Sequence, residues 1–166
     1  MIISEREMEE CLLGETGDPH SRLGVHPLGA KKGLVARALD PGADSIRIID
    51  LRDDSSQSLV RLDERGFFEV ALPGESKPFP YRFVSRRGGG EHEWEDPYSF
   101  LPSVGNDELK GFSEGTDRRP FLKLGSMPRT LNGVEGVSFV VWAPSARSVH
   151  LVGDFNSWNS SSLPMR

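Results

Sequence analysis

"GLVARALDPGADSIRII", residues 33–49, aligns without gaps on "GVSFVVWAPSARSVHLV", residues 136–152. The two stretches have an identical Gly, Pro, Ala and Ser at one aligned position each. Three Ile of the first copy align with Val, Leu and Val of the second. The copies lie about 100 residues apart, the usual size of one β-sandwich domain. Each copy predicts a strand, a corner started by Pro41 or Pro144, and a second strand. The chain is therefore predicted to hold two copies of one β module.

Short extended runs continue after the first copy. Turn clusters such as DPGAD and DERG separate them, and the glycines of RRGGGE at 86–91 predict a hairpin turn. Several short strands at this spacing favour a β-sandwich. The predicted strands are LVARAL (34–39), SIRIIDL (45–51), SLVRL (58–62), FFEVAL (67–72), PYRFVSR (80–86) and EHEW (91–94).

One helix is predicted at the start of the chain. Ser4 and Glu7 have the spacing of a capping box, in which each side chain accepts a free N–H of the first turn. Gly14 stands where this helix would stop. The following stretch, residues 17–33, is predicted to be rich in turns.

The segment between the two copies is predicted to be an ordered linker, because it is too apolar for a solvated tether. Thr116 or Asp117 is predicted to cap a short helix that runs through Leu124 and stops at Gly125. An earlier turn is predicted to begin near residues 106–107.

These patterns predict a mainly β fold: a β-sandwich with short N-terminal and linker helices, followed by the start of a second β-sandwich. A sandwich of about seven strands does not fit in the last 33 residues, so the end at Arg166 is interpreted as a fragment end. The predicted ranges are an N-terminal helical segment (1–17), a first β-sandwich module (18–102), a linker with short helices (103–133) and an incomplete second module (134–166).

Composition narrows the function classes. The 166-residue chain has a formal net charge of −5, and its basic residues are not interleaved with aromatics, so no nucleic acid is expected as a partner. The single Cys11 cannot form an internal disulfide. No charged-then-apolar leader opens the chain and no apolar run approaches the roughly 20 residues of a membrane helix. A cytoplasmic protein without a membrane partner is expected.

No catalytic residue, metal site or cofactor is predicted in this chain. The four histidines lack ligand spacing, and no nucleophile motif appears. HEWED at 92–96 gathers one imidazole and three carboxylates, but neighbours on a strand point to opposite faces, so it is interpreted as a solvated strand end. Asp53 and Asp54 lie in a Ser-rich turn, where Asp stabilises the turn itself.

The stretch GDFNSWN, residues 153–159, suggests a binding surface. Trp158 stands among small polar residues, where an indole offers a flat apolar face, and Asp154, Asn156 and Asn159 supply polar groups around it. A pyranose ring has the matching outline, with C–H groups on its faces and hydroxyls on its rim. Alternatively, Phe155 and Trp158 plug a sheet corner or dock on another domain. Trp142, in an apolar strand, is predicted to pack in a core or between modules.

From residue 139 onward, FVVWAPSARSVHLVGDFNSWNSSSLPMR resembles the start of a carbohydrate-binding module of family 48, an immunoglobulin-like, glycogen-binding β-sandwich found beside α-amylase-type barrels. The resemblance rests on the WAP strand end, the V-x-L-x-GDFN-x-W strand and loop, and the PM that follows. In the first module the corresponding stretch is IDLRDDS, residues 49–55, which lacks these aromatics.

Upstream motifs are similar to the extra N-terminal module of bacterial 1,4-α-glucan (glycogen) branching enzymes. They are LGVHP (23–27), RALDPGA (37–43), GFFEVALP (66–73), YRF (81–83) and EDPYSFLP (95–102). In one departure, His20 stands where the family often has an aromatic residue.

The resemblance implies that the whole protein is a glycosyltransferase of the α-amylase superfamily, which transfers cleaved α-1,4-glucan segments to form α-1,6 branches on a (β/α)₈ domain absent from this chain. The chain itself would be non-catalytic. Its implied partners are α-glucan (glycogen and maltooligosaccharides) and that domain. Two alternatives stay open: a stand-alone glycogen-binding or interaction module, and the N-terminal part of a debranching enzyme or trehalohydrolase.

Overall fold

The computed structural model describes residues 2–29 and 33–165. Residues 30–32 of the predicted turn-rich stretch and Arg166 lie outside the described residues. The chain divides into two compact units, one formed by Met1–Ser99 with Arg147–Arg166 and the other by Phe100–Ala146.

Ten strands and two α-helices make up the regular structure of the described residues. The helices are α1 (Glu5–Leu12) and α2 (Asn106–Ser113). The strands are β1 (Gly24–Pro27), β2 (Leu34–Leu39), β3 (Ser45–Asp50), β4 (Ser56–Ser58), β5 (Val60–Asp63), β6 (Phe67–Leu72), β7 (Tyr81–Arg87), β8 (Gly90–Trp94), β9 (Gly125–Leu131) and β10 (Val134–Val140).

The first unit contains a sandwich of two four-stranded antiparallel sheets. One sheet has the strand order β1-β2-β6-β5 and the other β4-β3-β7-β8. Every pairing is antiparallel, and β2 pairs with β6 from Leu34↔Leu72 to Leu39↔Phe67. The mainly β, immunoglobulin-like sandwich predicted from the sequence is therefore confirmed.

The core lies between the two sheets. Phe68 comes from the first sheet and Ile46 and Phe83 from the second, and each is at most 1% exposed. Burying one such side chain stabilises a fold by about 1.5–3 kcal/mol. In β3, Ile46, Ile48 and Asp50 are buried while the residues between them are half-buried, so one face of this strand is turned to the core.

Helix α1 covers the other face of the first sheet. Its Met8, Cys11 and Leu12 pack with Leu39 and Phe67 in a second apolar cluster. Consequently β2 and β6 are buried on both faces, and Phe67 and Phe68 are both inaccessible although they are neighbours on one strand.

The predicted start and stop signals of α1 are confirmed. Ser4 Oγ accepts the N–H of Glu7, and a carboxylate oxygen of Glu7 accepts the N–H of Ser4 at 3.2 Å. After the helix, Gly14 adopts a left-handed conformation with φ of 66°.

A buried ion pair holds the segment before α1. Arg37 Nε donates to Glu69 Oε2 at 2.9 Å across the β2–β6 pair, where the two residues are direct neighbours. The same carboxylate accepts the backbone N–H groups of Ile2 at 2.6 Å and Ile3 at 2.9 Å. Because its charge is matched by donors on several sides, Glu69 can be buried.

Two local predictions need correction. The stretch predicted to be rich in turns also contains a strand that was not predicted, β1, because its residues 24–27 pair with residues 34–37 of β2. The run predicted as one strand over 58–62 is divided at Leu59, whose buried side chain separates β4 in one sheet from β5 in the other. The hairpin turn predicted at RRGGGE is confirmed: Gly88 and Gly89 have φ of 53° and 91°, as a type I′ turn requires.

The second unit consists of α2, a 3₁₀ turn and the β9–β10 hairpin. The predicted linker helix is wrong in position. The α-helix is the earlier segment, and Pro120–Leu122 forms only a single 3₁₀ turn before β9 begins at Gly125. Trp142 is 49% exposed and contacts Phe112 edge to face, with ring centroids 5.0 Å apart.

The internal repeat holds for its first strand and corner. β10 and β2 stand at corresponding places, but the predicted strand at 149–152 is only an isolated antiparallel bridge between His150 and Pro164. In the first copy, β3 has a partner strand on each side, whereas residues 149–151, within the described part of the chain, pair only with residues 163–165.

Candidate functional site

The candidate site is the aromatic loop, residues 153–162. Two backbone hydrogen bonds close its base: Leu151 N–H donates to Leu163 O at 3.0 Å and Met165 N–H donates to Val149 O at 2.8 Å. The loop is therefore held at both ends although it contains no strand.

Asn156 organises the interior of the aromatic loop. Its amide nitrogen lies within hydrogen-bonding distance of Leu151 O and Asn159 O, both at 3.0 Å, and of Ser162 Oγ at 2.9 Å, so its two hydrogens serve three acceptors. Its amide oxygen accepts the N–H of Gly153 at 2.9 Å. Both ends of one side chain thus tie the two halves of the loop together.

Two successive left-handed residues turn Trp158 outward. Asp154–Asn156 form a single 3₁₀ turn, after which Ser157 and Trp158 have φ of 52° and 57°. This conformation is uncommon for a bulky residue and costs on the order of 1 kcal/mol per residue. The backbone N–H of Trp158 donates to Gly153 O at 2.9 Å, which helps to hold the turn. As a result, the indole is 67% exposed.

The exposed indole has a fixed direction. Its Nε1–H donates to Asp154 Oδ1 at 2.9 Å, which restrains rotation of the ring. Beside it, Phe155 is 62% exposed, and its ring lies so close to Gly153 that a Cβ at that position would overlap it. Two aromatic side chains and one carboxylate are therefore presented on the same short loop.

The four residues singled out in the sequence have different surroundings. Trp158 and Asp154 are exposed and hydrogen-bonded to each other. Asn156 and Asn159 are half-buried, and Asn159 Oδ1 accepts the N–H of Ser161 at 2.8 Å. Carbohydrate binding by these residues stays a prediction.

A buried polar cluster is centred on Asp96 in the EDPYSF stretch. This cluster was not predicted from the sequence. Asp96 is 1% exposed, and its two carboxylate oxygens accept the hydroxyl of Tyr81 at 2.6 Å and the N–H of Tyr98 at 3.0 Å. Burial raises the pKa of Asp96 to about 6, against the opposing effect of these two donors. The signal available in the sequence was an acid directly before Pro, followed by Tyr.

A shallow pocket of about 310 Å³ lies at the predicted solvated strand end, lined by Arg82, Glu93, Trp94 and Glu95. Arg82 forms ion pairs with both glutamates. The guanidinium of this pocket is therefore already engaged by carboxylates of the protein itself.

The described residues offer little for covalent or metal chemistry. Among residues 2–29 and 33–165, no three His, Cys, Asp or Glu side chains gather as a metal site would require. Burial raises the pKa of the Cys11 thiol to about 11, so the thiolate is scarce at neutral pH. No helix in this part of the chain is long and apolar enough to cross a membrane.

Two family models match successive parts of the chain. Residues 4–98 match the alpha-1,4-glucan branching enzyme GlgB N-terminal domain. Residues 123–166 match carbohydrate-binding module 48, described as the isoamylase N-terminal domain. Both resemblances identified from the sequence motifs are therefore confirmed.

Several curated relatives carry the name 1,4-alpha-glucan branching enzyme GlgB. Those of Cereibacter sphaeroides and Rubrobacter xylanophilus are 38% and 39% identical over 99% and 98% of this chain. The Bradyrhizobium diazoefficiens protein is 41% identical over 92% of it. The chain spans only about a fifth of each relative, 22%, 22% and 20%.

Solved structures give a weaker likeness. The catalytic module of SpuA, a glycogen-degrading pneumococcal virulence factor, matches 63% of this chain and 16% of its own at 20% identity, with a TM-score of 0.41. The match over residues 4–98 covers more than half of the chain. This chain therefore belongs to the family of alpha-1,4-glucan branching enzyme GlgB N-terminal domains.

Proposed function

We propose that this chain is the non-catalytic N-terminal part of a 1,4-α-glucan branching enzyme and that its aromatic loop contacts α-glucan. The whole protein, in this proposal, cleaves an α-1,4-glucan segment and transfers it to a 6-hydroxyl on a (β/α)₈ domain outside this chain. The chain supports that domain and acts in the cytoplasm. The names of its relatives and the two family matches support this assignment.

The observation that carries glucan contact is the exposed and oriented indole of Trp158. This side chain is 67% exposed, so the flat apolar face of the indole is accessible to a ligand. The hydrogen bond from Nε1 to Asp154 keeps the ring in one orientation. Because little rotational freedom remains to be lost, stacking of a glucose ring on this face has a small entropic cost. The position within the family 48 match supports the same ligand.

The four candidate residues divide the work in this proposal. Trp158 stacks on the sugar ring, while Asp154 orients the indole and offers its other oxygen to a sugar hydroxyl. The amide of Asn156 is already engaged within the loop and at its base, so it shapes the site. Asn159 joins Asn156 in that role through its carbonyl oxygen and contacts a sugar hydroxyl at the edge of the loop.

The first module has a different role, because the corresponding stretch is a tight turn. Asp50 N–H donates to Ser55 O at 2.9 Å, and Asp53 Oδ1 accepts the N–H of Ser55 at 3.0 Å. No aromatic side chain is presented there. We assign residues 18–102 as a spacer or docking module, and residues 103–133 and 134–166 as the linker and the start of the glucan-contacting module.

Affinity electrophoresis through glycogen-containing gels tests the glucan contact. The protein as its gene encodes it is compared with Trp158→Ala. Loss of the stacking face is expected to weaken glycogen affinity at least tenfold, as is typical when a central Trp is removed from a binding surface.

Phe121→Ala is the matched control, since Phe121 is also 67% exposed but lies in the linker. It is expected to migrate like the parent protein. Equal retardation of the parent protein and Trp158→Ala contradicts the proposal, and equal loss in both variants shows non-specific adsorption to exposed aromatics.

A further inference from the structure

The base of the aromatic loop is fastened to the end of the first sandwich. Tyr98 Oη donates to the carbonyl oxygen of Pro164 at 3.0 Å, across 66 positions of sequence. Pro164 is buried and pairs with His150, the residue between the two hydrogen bonds that close the loop base. A hydroxyl of the first module thus reaches the short pairing that closes the base of the aromatic loop.

The fastening also includes a packing contact. The imidazole of His150 lies against Gly14, where an added Cβ would overlap the ring. Gly14 also has the left-handed backbone conformation that ends α1, which glycine adopts without strain. One glycine therefore ends the helix and leaves room for the ring of His150.

Tyr98 itself is held from several directions. Its N–H donates to Asp96 Oδ1 at 3.0 Å, and its ring packs edge to face with that of His20, with centroids 5.1 Å apart. It also packs against the apolar cluster beneath α1. Asp96 is in turn bonded by Tyr81. The hydroxyl of Tyr98 is consequently presented from a rigid support, which is what precise placement of a distant group needs.

We propose that Tyr98, set in place by Asp96, is a positioning residue that holds the base of the aromatic loop and so orients the Trp158 indole toward α-glucan. The proposal rests on the glucan contact proposed above. It assigns to the EDPYSF stretch a function in glucan recognition, although no residue of that stretch touches the sugar. The first module then contributes to binding without a sugar site of its own.

Tyr98→Phe tests the fastening, because it removes only the hydroxyl and keeps the ring. Amide hydrogen exchange of Leu151 and Met165 is expected to accelerate about tenfold, while the amides of β2 and β6 keep their rates. In protein labelled with 5-fluorotryptophan, the ¹⁹F signal of Trp158 is expected to shift or broaden, whereas those of Trp94 and Trp142 stay unchanged. Ser99→Ala is the matched control, since it removes a hydroxyl of the same turn that bonds Asp96 O instead.

A double-mutant cycle tests whether the hydrogen bond from Tyr98 to Pro164 affects glucan binding through Trp158. Tyr98→Phe is expected to weaken glycogen affinity three- to tenfold when Trp158 is present and to have no further effect in Trp158→Ala. Unchanged exchange and an unchanged Trp158 signal in Tyr98→Phe overturn the positioning role. If these change but Trp158→Ala binds glycogen normally, the positioning of the loop stands and the glucan contact fails.

Asp96→Asn serves as a second variant should Tyr98→Phe fold poorly. It keeps one oxygen acceptor beside Tyr98, so it is expected to change the same two amides and the same ¹⁹F signal to a smaller extent. A folded Asp96→Asn protein without either change also contradicts the proposal.

Discussion

Asp96 is a carboxylic acid in the interior of the first unit, and its surroundings make stability depend on pH. Burial raises its pKa in the folded protein to about 6, above the roughly 3.9 of an exposed Asp. Between these two values the folded state binds the proton more tightly than the unfolded state. This contribution to stability is therefore complete below about pH 4 and is lost as pH rises through about 6.

Asp96→Asn is expected to remove this dependence. The difference in free energy of unfolding between parent and variant should change by about 2 kcal/mol from pH 4 to pH 7, in the direction that favours the variant at high pH. Denaturant unfolding across this range measures it. Asp63→Asn is the control, because the hydrogen bond from Arg65 lowers the pKa of Asp63 to about 2, so its difference from the parent should stay nearly constant over this range. A difference that does not vary with pH would contradict the raised pKa of Asp96.

Residue chemistry alone predicted part of the candidate site. The exposure of Trp158 and the nearness of Asp154 follow from their places in a short polar loop. The hydrogen bonds of the Asn156 side chain inside the loop could not be predicted in this way. They depend on left-handed backbone conformations at Ser157 and Trp158, which residue composition does not indicate. The contact of Tyr98 with Pro164 joins two segments far apart in sequence, and one sequence contains no signal for such a pairing.

At the scale of elements, α1 is short and depends on its cap. A helix of eight residues is marginal in isolation, and its Met8, Cys11 and Leu12 must still cover the outer face of the first sheet. Ser4→Ala is expected to lower the free energy of unfolding by about 1 kcal/mol. Chemical denaturation should show a lower midpoint with an unchanged slope. Ser4→Asp, which keeps an acceptor at the cap, should retain stability, and equal losses in both variants would contradict the capping role.

Strand prediction succeeded where sequence pattern and tertiary environment agree. β3 and β6 were predicted within one residue at each end, since apolar periodicity and turn signals coincide there. β1 was missed because a four-residue strand containing Gly and Pro has no periodicity, and only its pairing with β2 defines it. Residues 149–152 show the reverse, since their alternating pattern is that of a strand but they form only a bridge.

At the scale of the whole molecule, the first strand and corner of the repeat occur twice and are followed by different endings. After the second segment of the repeat, the first module makes a tight turn closed by Asp50 and Ser55, and the second makes the aromatic loop. The shared corner is a feature of the scaffold, whereas the ending differs between the modules. The sequence comparison predicted this difference, and the structure adds that the second ending is supported from the first module.

Branch formation on amylose, followed over a range of amylose concentrations by the anomeric proton signals of α-1,6 linkages, tests the proposed role of the chain in one measurement. The protein as its gene encodes it should form α-1,6 linkages without a net gain of reducing ends. Trp158→Ala should raise KM about tenfold with most of kcat retained, because a contact remote from the chemistry contributes uniform binding, and Phe121→Ala should change neither. The absence of new α-1,6 linkages, or their loss with a rise in reducing ends, would contradict the branching assignment, and an unchanged KM in Trp158→Ala would contradict the glucan contact.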